Sequence, residues 1–343
     1  MRYRKFVYGL LLVIVVSLLT GCKEQVVVTQ TTMRVGVVLY TQDDPFINAL
    51  TDCLKEDFEA MESDNLKIIM TVRDGKDDQS AQNDVVEEMI DAGCDVLCVG
   101  LVDRTEPSRI IEMAKKEDIP IIFFNREPVR EDLMQWDKMY YVGADAEQSG
   151  VMQGEIASDV IQANKQIDRN GDGKIQYVLL EGEAGHQDAI IRTDSAVRTL
   201  MDAGIKLEKL SHQFADWKRS QAENKMTQLI YLYGDDIELV LANNDEMAAG
   251  AVAAYDKLGY EADARPVFFG IDGLDDVLIA VEDGTIQGTV YNDKEGQALQ
   301  MARLAVDLFY RNDLSQYNFQ DGKYILLPYQ KVDAGNVANY IKE

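Results

Sequence analysis

Short, almost uninterrupted apolar runs rich in Val and Ile recur along this chain, and they restrict its fold more than any other feature. They occupy residues 33–40, 67–72, 96–101, 119–124, 176–180, 237–242, 265–271 and 286–291. A strand with one wet face alternates apolar and polar residues. Runs without that alternation are buried on both faces, as in a parallel sheet covered by helices. Between them, segments such as 81–92, 108–116, 144–163, 193–203, 220–232 and 246–258 carry apolar residues at three- and four-residue spacing, which predicts helices. The βαβ alternation repeats too often for one modest sheet. The expected class is therefore α/β, with two doubly wound parallel-sheet lobes.

The N-terminus reads as an address. Arg2, Arg4 and Lys5 precede the apolar run 6–19, and Leu19-Thr20-Gly21-Cys22 follows. A charged start, an apolar stretch and a small-residue cleavage site make an export signal, and the stretch is shorter than the ~20 residues needed to span a bilayer. Its ending resembles the bacterial lipoprotein box. That resemblance implies that Cys22 is acylated and becomes the mature N-terminus, with residues 23–33 as a tether that holds the protein to the outside of the membrane. Cys53, Cys94 and Cys98 remain, an odd number without metal-ligand spacing. Four extended residues would separate Cys94 from Cys98 by roughly 13 Å, too far for a disulfide. All three are expected as free thiols.

The 60 acidic side chains against 34 basic ones give a net charge of −26, which repels nucleic acid and favours a neutral or cationic ligand. Polar residues gather where the strands end: Asp43, Asp44 and Phe46; Asn125 and Arg126; His186 and Asp188; Asn243, Asn244 and Asp245; Asp272; Asn292 and Asp293. Parallel sheets bind ligands beyond these carboxyl ends. Any one such Asp or Asn also serves as a helix cap. As a set, planar carboxylates, amides and guanidiniums pair with adjacent hydroxyls, as a sugar presents them, and Phe46 and Trp217 supply apolar plates. The chain lacks the Gly-x-Ser-x-Gly elbow, the Gly-x-Gly-x-x-Gly turn and the phosphate loop, and the pair His186 and Asp188 has no nucleophile or metal cluster beside it. Binding explains these residues better than catalysis, and no enzyme activity is expected.

Residues 168–176 follow the calcium-loop rule. Asp168, Asn170 and Asp172 stand at positions 1, 3 and 5, Gly173 at 6, the Lys174 carbonyl at 7 and Gln176 at 9. Leu179 occupies the twelfth position, so the bidentate carboxylate must come from elsewhere. The strand QYVLL follows the loop, which excludes a full EF-hand.

The segments YTQDDPF, PIIFFNREP, YYVGAD, the calcium loop, GEAGHQDAIIR, ADW, LANNDEMAAGAV, FFGIDGL and GTVYND occur in this order from about Arg34 to the C-terminus. Together they resemble the bacterial galactose/glucose-binding proteins. The resemblance implies a type I periplasmic-binding-protein fold, with an N-terminal lobe of residues 34–144 and 293–326, a C-terminal lobe of 145–292 and 327–343, and a three-segment hinge that closes on sugar. It implies a pyranose between Phe46 and Trp217, with polar contacts from Asp44, Asn125, His186, Asp188, Arg192, Asn244, Asp272 and Asn292. Asp44 would accept either epimer at carbon 4. Structural Ca2+ would lie among Asp168, Asn170, Asp172, the Lys174 carbonyl, Gln176 and Glu238. The implied partners are a hexose, an ABC permease with its ATPase, and a chemoreceptor, all served by a monomer. A sugar-sensing lipoprotein that signals to a membrane histidine kinase would use the same residues, and the preference between glucose and galactose stays open.

Overall fold

The computed structural model describes residues 30–341. The export signal, Cys22 and residues 23–29 of the tether lie outside the described residues.

The first lobe opens with β1 (Thr31–Leu39), α1 (Pro45–Met61), β2 (Leu66–Asp74), α2 (Gln79–Asp91), β3 (Val96–Val99), α3 (Ser108–Lys116), β4 (Ile121–Phe124), the short α4 (Arg130–Leu133) and β5 (Met139–Ala144). The second contains α5 (Ala146–Ala163), β6 (Ile175–Glu181), α6 (Gln187–Asp202), β7 (Leu207–Phe214), α7 (Arg219–Tyr233), β8 (Leu239–Ala242), α8 (Asp245–Leu258), β9 (Val267–Phe269), α9 (Asp275–Glu282) and β10 (Gly288–Tyr291). The chain then returns with α10 (Lys294–Tyr310) and β11 (Tyr324–Leu327), and crosses again to β12 (Gln330–Asp333).

One sheet has the order β2-β1-β3-β4-β5-β11 with every pair parallel. The other has the order β7-β6-β8-β9-β10-β12, parallel except for the antiparallel β10–β12 pair. The chain passes between the sheets three times, after β5, after β10 and between β11 and β12. In both lobes the strand order reverses beside the first strand, and this reversal opens a crevice at the carboxyl edge.

Alternate residues of one strand feed opposite faces. Val37 and Leu39 join the cluster under α1 and α10 with Leu50, Leu54 and Met301, whereas Val38 joins Val86, Ile110 and Phe123 under α2 and α3. Val178 and Leu180 pack with Met226 and Ala251, whereas Leu179 packs with Ile156 and Leu200. This two-sided burial is why the apolar runs lack alternation. All eight runs coincide with strands.

Strands β5, β7, β11 and β12 are additional. β7 (LEKLSHQF) and β12 (QKVD) are edge strands with half-wet side chains, so polarity masks them. The predicted helix at 193–203 instead begins at Gln187, because its polar first turn, capped by His186, interrupts the apolar spacing. No helix among the described residues is long and apolar enough to cross a membrane.

Two buried glutamines hold the crevice edges. The Gln82 side chain donates to the Gly100 carbonyl at 2.8 Å and accepts from the Val102 N–H at 3.0 Å. Gln153 donates to the carbonyls of Ala242 at 2.7 Å and Gly270 at 3.1 Å. Gln82→Ala strands the Gly100 carbonyl without its partner. It should lower stability by about 1–3 kcal/mol, read as an earlier midpoint in urea denaturation.

Candidate functional site: a cleft between the lobes

The strand ends of the two lobes face each other across one cleft. Tyr40, Asp44, Phe46, Asn125 and Arg126 line it from the first lobe, and His186, Asp188, Arg192, Trp217, Asn244 and Asp272 from the second. Only about 30 Å³ between these walls would admit the centre of a water-sized sphere, so the two lobes nearly close on one another here. Nine of the ten residues expected to touch sugar are thus brought together. Asn292 is the exception as a wall residue. It is buried behind Asp272, where its N–H donates to the Asp272 carbonyl at 3.0 Å and its side-chain oxygen accepts from Gln297 at 2.6 Å. Arg126 belongs to the polar set expected at the strand ends, though not to the contacts that the resemblance implies. Tyr40 is in neither, and its only signal in the sequence is its position at the end of MRVGVVLY.

Helix caps aim several of these groups. Asp44 caps α1, where its Oδ1 accepts the N–H groups of Phe46 at 2.8 Å and Ile47 at 3.1 Å, and its other oxygen accepts the Tyr40 hydroxyl. Asn244 caps α8 through the Met247 N–H at 3.0 Å and donates to the Trp217 carbonyl at 3.2 Å. His186 caps α6, its Nδ1 accepting the Asp188 N–H at 3.2 Å, and its ring meets Trp217 edge-on at 5.1 Å.

Backbone strain marks the same places. Asn125, Trp217 and Asp272 have φ of 60°, 62° and 131°. For a residue as bulky as Trp this is an outlier, and such strain collects at functional sites. Trp217 also lies so close to Gly182 that a Cβ there would sit 2.2 Å from the indole. Only glycine leaves room for the ring.

The electrostatics are those of a dry, nearly neutral site. Burial, reinforced by Arg126 and Arg192, pushes the His186 imidazole down to about 3, so it stays neutral and its Nδ1 remains an acceptor. Burial raises the carboxyls of Asp188 and Asp272, against the pull of Arg192. Burial works against the Arg192 charge as well, yet the oxygens of Tyr329, Asp272 and Asp188 more than offset it. Arg192 donates to the Asn243 carbonyl at 2.8 Å and to the Tyr329 hydroxyl at 3.0 Å. Its Nε is buried without a partner, a donor that a ligand oxygen would satisfy.

Away from the cleft, residues 168–176 form a turn. Asp168 Oδ2 accepts from the Gly173 N–H at 2.9 Å, Asn170 from Asp172 at 2.9 Å, and Asp172 from Lys174 at 2.8 Å. The fold brings Glu238 to it, where its oxygens accept the N–H groups of Arg169 at 2.6 Å and Gln176 at 3.0 Å. No group of three His, Cys, Asp or Glu converges as a metal site among the described residues. The donor set here mixes carboxylates with amides and a carbonyl. Asp168 Oδ1 and Gln176 Oε1 are buried with no hydrogen-bond partner, which fits a hard cation that both would face. Cys53, Cys94 and Cys98 form no disulfide among the described residues.

Residues 35–311 match the family described as the periplasmic binding protein domain. The chain belongs to this family. It is 34% identical over 313 residues to the D-galactose/methyl-galactoside binding periplasmic protein MglB of Haemophilus influenzae, covering 90% of this chain and 92% of the relative. It is also 28% identical to a putative rhizopine-binding protein of Rhizobium meliloti, covering 98% of each. Among solved structures it is similar to an ABC transporter solute binding protein of Bacillus halodurans with bound myo-inositol, with a TM-score of 0.75, 27% identity, and 91% of this chain and 98% of that one covered. Membership places the chain among extracytoplasmic binding proteins and not among enzymes.

Because the His186 imidazole titrates near 3 in the folded cleft and near 6.5 in an unfolded chain, the unfolded state gains a proton first as pH falls. His186 therefore costs stability progressively below about pH 6.5. Relative to the wild-type chain, His186→Asn should gain at most about 1.4 kcal/mol per pH unit between pH 6.5 and 4.5, measured by urea denaturation. A difference that does not change with pH would contradict a neutral buried imidazole.

Proposed function

We propose that this protein captures D-galactose or D-glucose between its lobes and delivers the closed complex to the permease of an ABC importer. The observation that carries the reading is the unpartnered Arg192 Nε in a cleft that also holds three aspartates, two asparagines, a neutral histidine and the rings of Phe46 and Trp217, one from each lobe. Three carboxylates against two guanidiniums disfavour an anionic ligand. Alternating donors and acceptors between apolar plates suit a neutral ring with several hydroxyls. The galactoside-binding relative supports the hexose, and Asp44, oriented by α1 and Tyr40, is suited to either carbon-4 epimer.

Sugar that touches both lobes binds the closed state better than the open one, so binding closes the cleft and closure is what a permease reads. A chemoreceptor would read the same surface. The three crossing segments would act as the hinge and divide the lobes at residues 144/145, 292/293 and 326/327. Lipidation at Cys22 would keep the protein at the outer face of the membrane. Ca2+ held by Asp168, Asn170, Asp172, the Lys174 carbonyl, Gln176 and Glu238 would neutralise that acidic turn and staple β6 to the segment before it.

Titration calorimetry should give one-to-one binding of galactose or glucose and much weaker binding of ribose and xylose. Asp188→Ala should weaken hexose binding by at least about 100-fold, because it removes an acceptor and leaves Arg192 facing an unpaired site. A folded wild-type protein that binds neither hexose would overturn the sugar reading. Chelation should lower the thermal midpoint and added Ca2+ restore it, and an unchanged midpoint would overturn the metal site.

A further inference from the structure

Tyr40 and Arg126 wall the cleft but stand outside the contacts that the resemblance implies for sugar, and Arg126 connects the lobes. The Arg126 guanidinium lies 3.9 Å over the centre of the Tyr40 ring. Its Nη1 donates to the Val102 carbonyl at 2.6 Å, and its Nη2 to Glu183 Oε1 at 2.7 Å. Tyr40 and Val102 belong to the first lobe, and Glu183 follows β6 in the second. The Tyr40 hydroxyl donates to Asp44, whose Oδ1 is already held by the first turn of α1.

We propose that the Arg126–Glu183 ion pair is an interlobe clamp that slows release of sugar, and that Tyr40 is a positioning residue through which the clamp holds Asp44. The inference rests on the hexose reading and adds residues to it. The pair bridges two bodies joined by a hinge, so opening breaks it and closing forms it. The Arg126 side chain is 8% exposed and the Glu183 side chain 35%. A hydrogen-bonded pair so placed acts mainly on dissociation, while the exposed side of Glu183 leaves it open to screening by salt. The stack on Tyr40 and the bond to Val102 hold the guanidinium ready, so little side-chain freedom is lost on closure. Two nitrogens of the planar guanidinium serve the two acceptors while its face stacks on Tyr40.

Stopped-flow measurement of sugar release tests the clamp. Glu183→Gln should release galactose about tenfold faster, with association and sugar preference little changed. Release from the wild-type protein should quicken as salt is raised, and release from Glu183→Gln should lose that dependence. Tyr40→Phe should keep the salt dependence but alter the ratio of glucose to galactose affinity, since Asp44 loses its hydroxyl donor. A Glu183→Gln release rate within twofold of wild type, or the same salt dependence, overturns the clamp. An unchanged affinity ratio in Tyr40→Phe overturns the positioning role. Should the wild-type protein bind neither hexose, the sugar reading fails and small-angle scattering of the ligand-free protein decides the clamp alone: a larger radius of gyration in Glu183→Gln supports it, and an equal one overturns it.

Discussion

Taking the Arg192 guanidinium out of water is the constraint around which the cleft is organised. A buried charge is tolerated only when it is paired and hydrogen-bonded. The Asn243 carbonyl at the end of β8 and the Tyr329 hydroxyl satisfy two of its nitrogens, and the carboxyls of Asp188 and Asp272 face it. Tyr329 lies in the segment that crosses between β11 and β12, and its N–H donates to Gln148 at the start of α5, just beyond the first crossing. One side chain thus ties the floor of the cleft to two of the three connections between lobes. The third nitrogen, Nε, has no partner and is left for whatever fills the space.

The two lobes contribute differently. The second supplies most of the charge and the strained Trp217 plate, with Gly182 making room for the ring. The first supplies the Phe46 plate, Asn125, and the aspartate fixed by α1 and Tyr40. Leu274, from the second lobe, packs into the apolar cluster of the first, so the lobes share an apolar contact as well as the Arg126–Glu183 pair. A binding protein gains from this division because neither half of the site is complete alone.

Much of this was legible from residues 30–341 read as text. Strands buried on both faces betray themselves by uninterrupted Val and Ile, and helix caps at strand ends carry the Asp and Asn that the ligand site reuses. The turn at 168–176 follows a rule of spacing, and the fold leaves Asp168 Oδ1 and Gln176 Oε1 of that turn buried without a partner. The edge strands β7, β11 and β12 were less visible, because half-wet strands need no particular pattern. The start of α6 was hidden for a related reason: its first turn is polar because His186 and Asp188 face the cleft.

The sequence by itself determined the βαβ order, the two-lobe plan and most of the cleft's chemistry, since periodicity and capping are local properties of the chain. Only the tertiary structure decided that Asn292 stands behind Asp272, that Tyr40 joins the wall, and that Arg126 meets Glu183. The Arg126–Glu183 contact joins residues 57 positions apart in different lobes, and its geometry follows from how two sheets face each other across three connections, which no local pattern encodes.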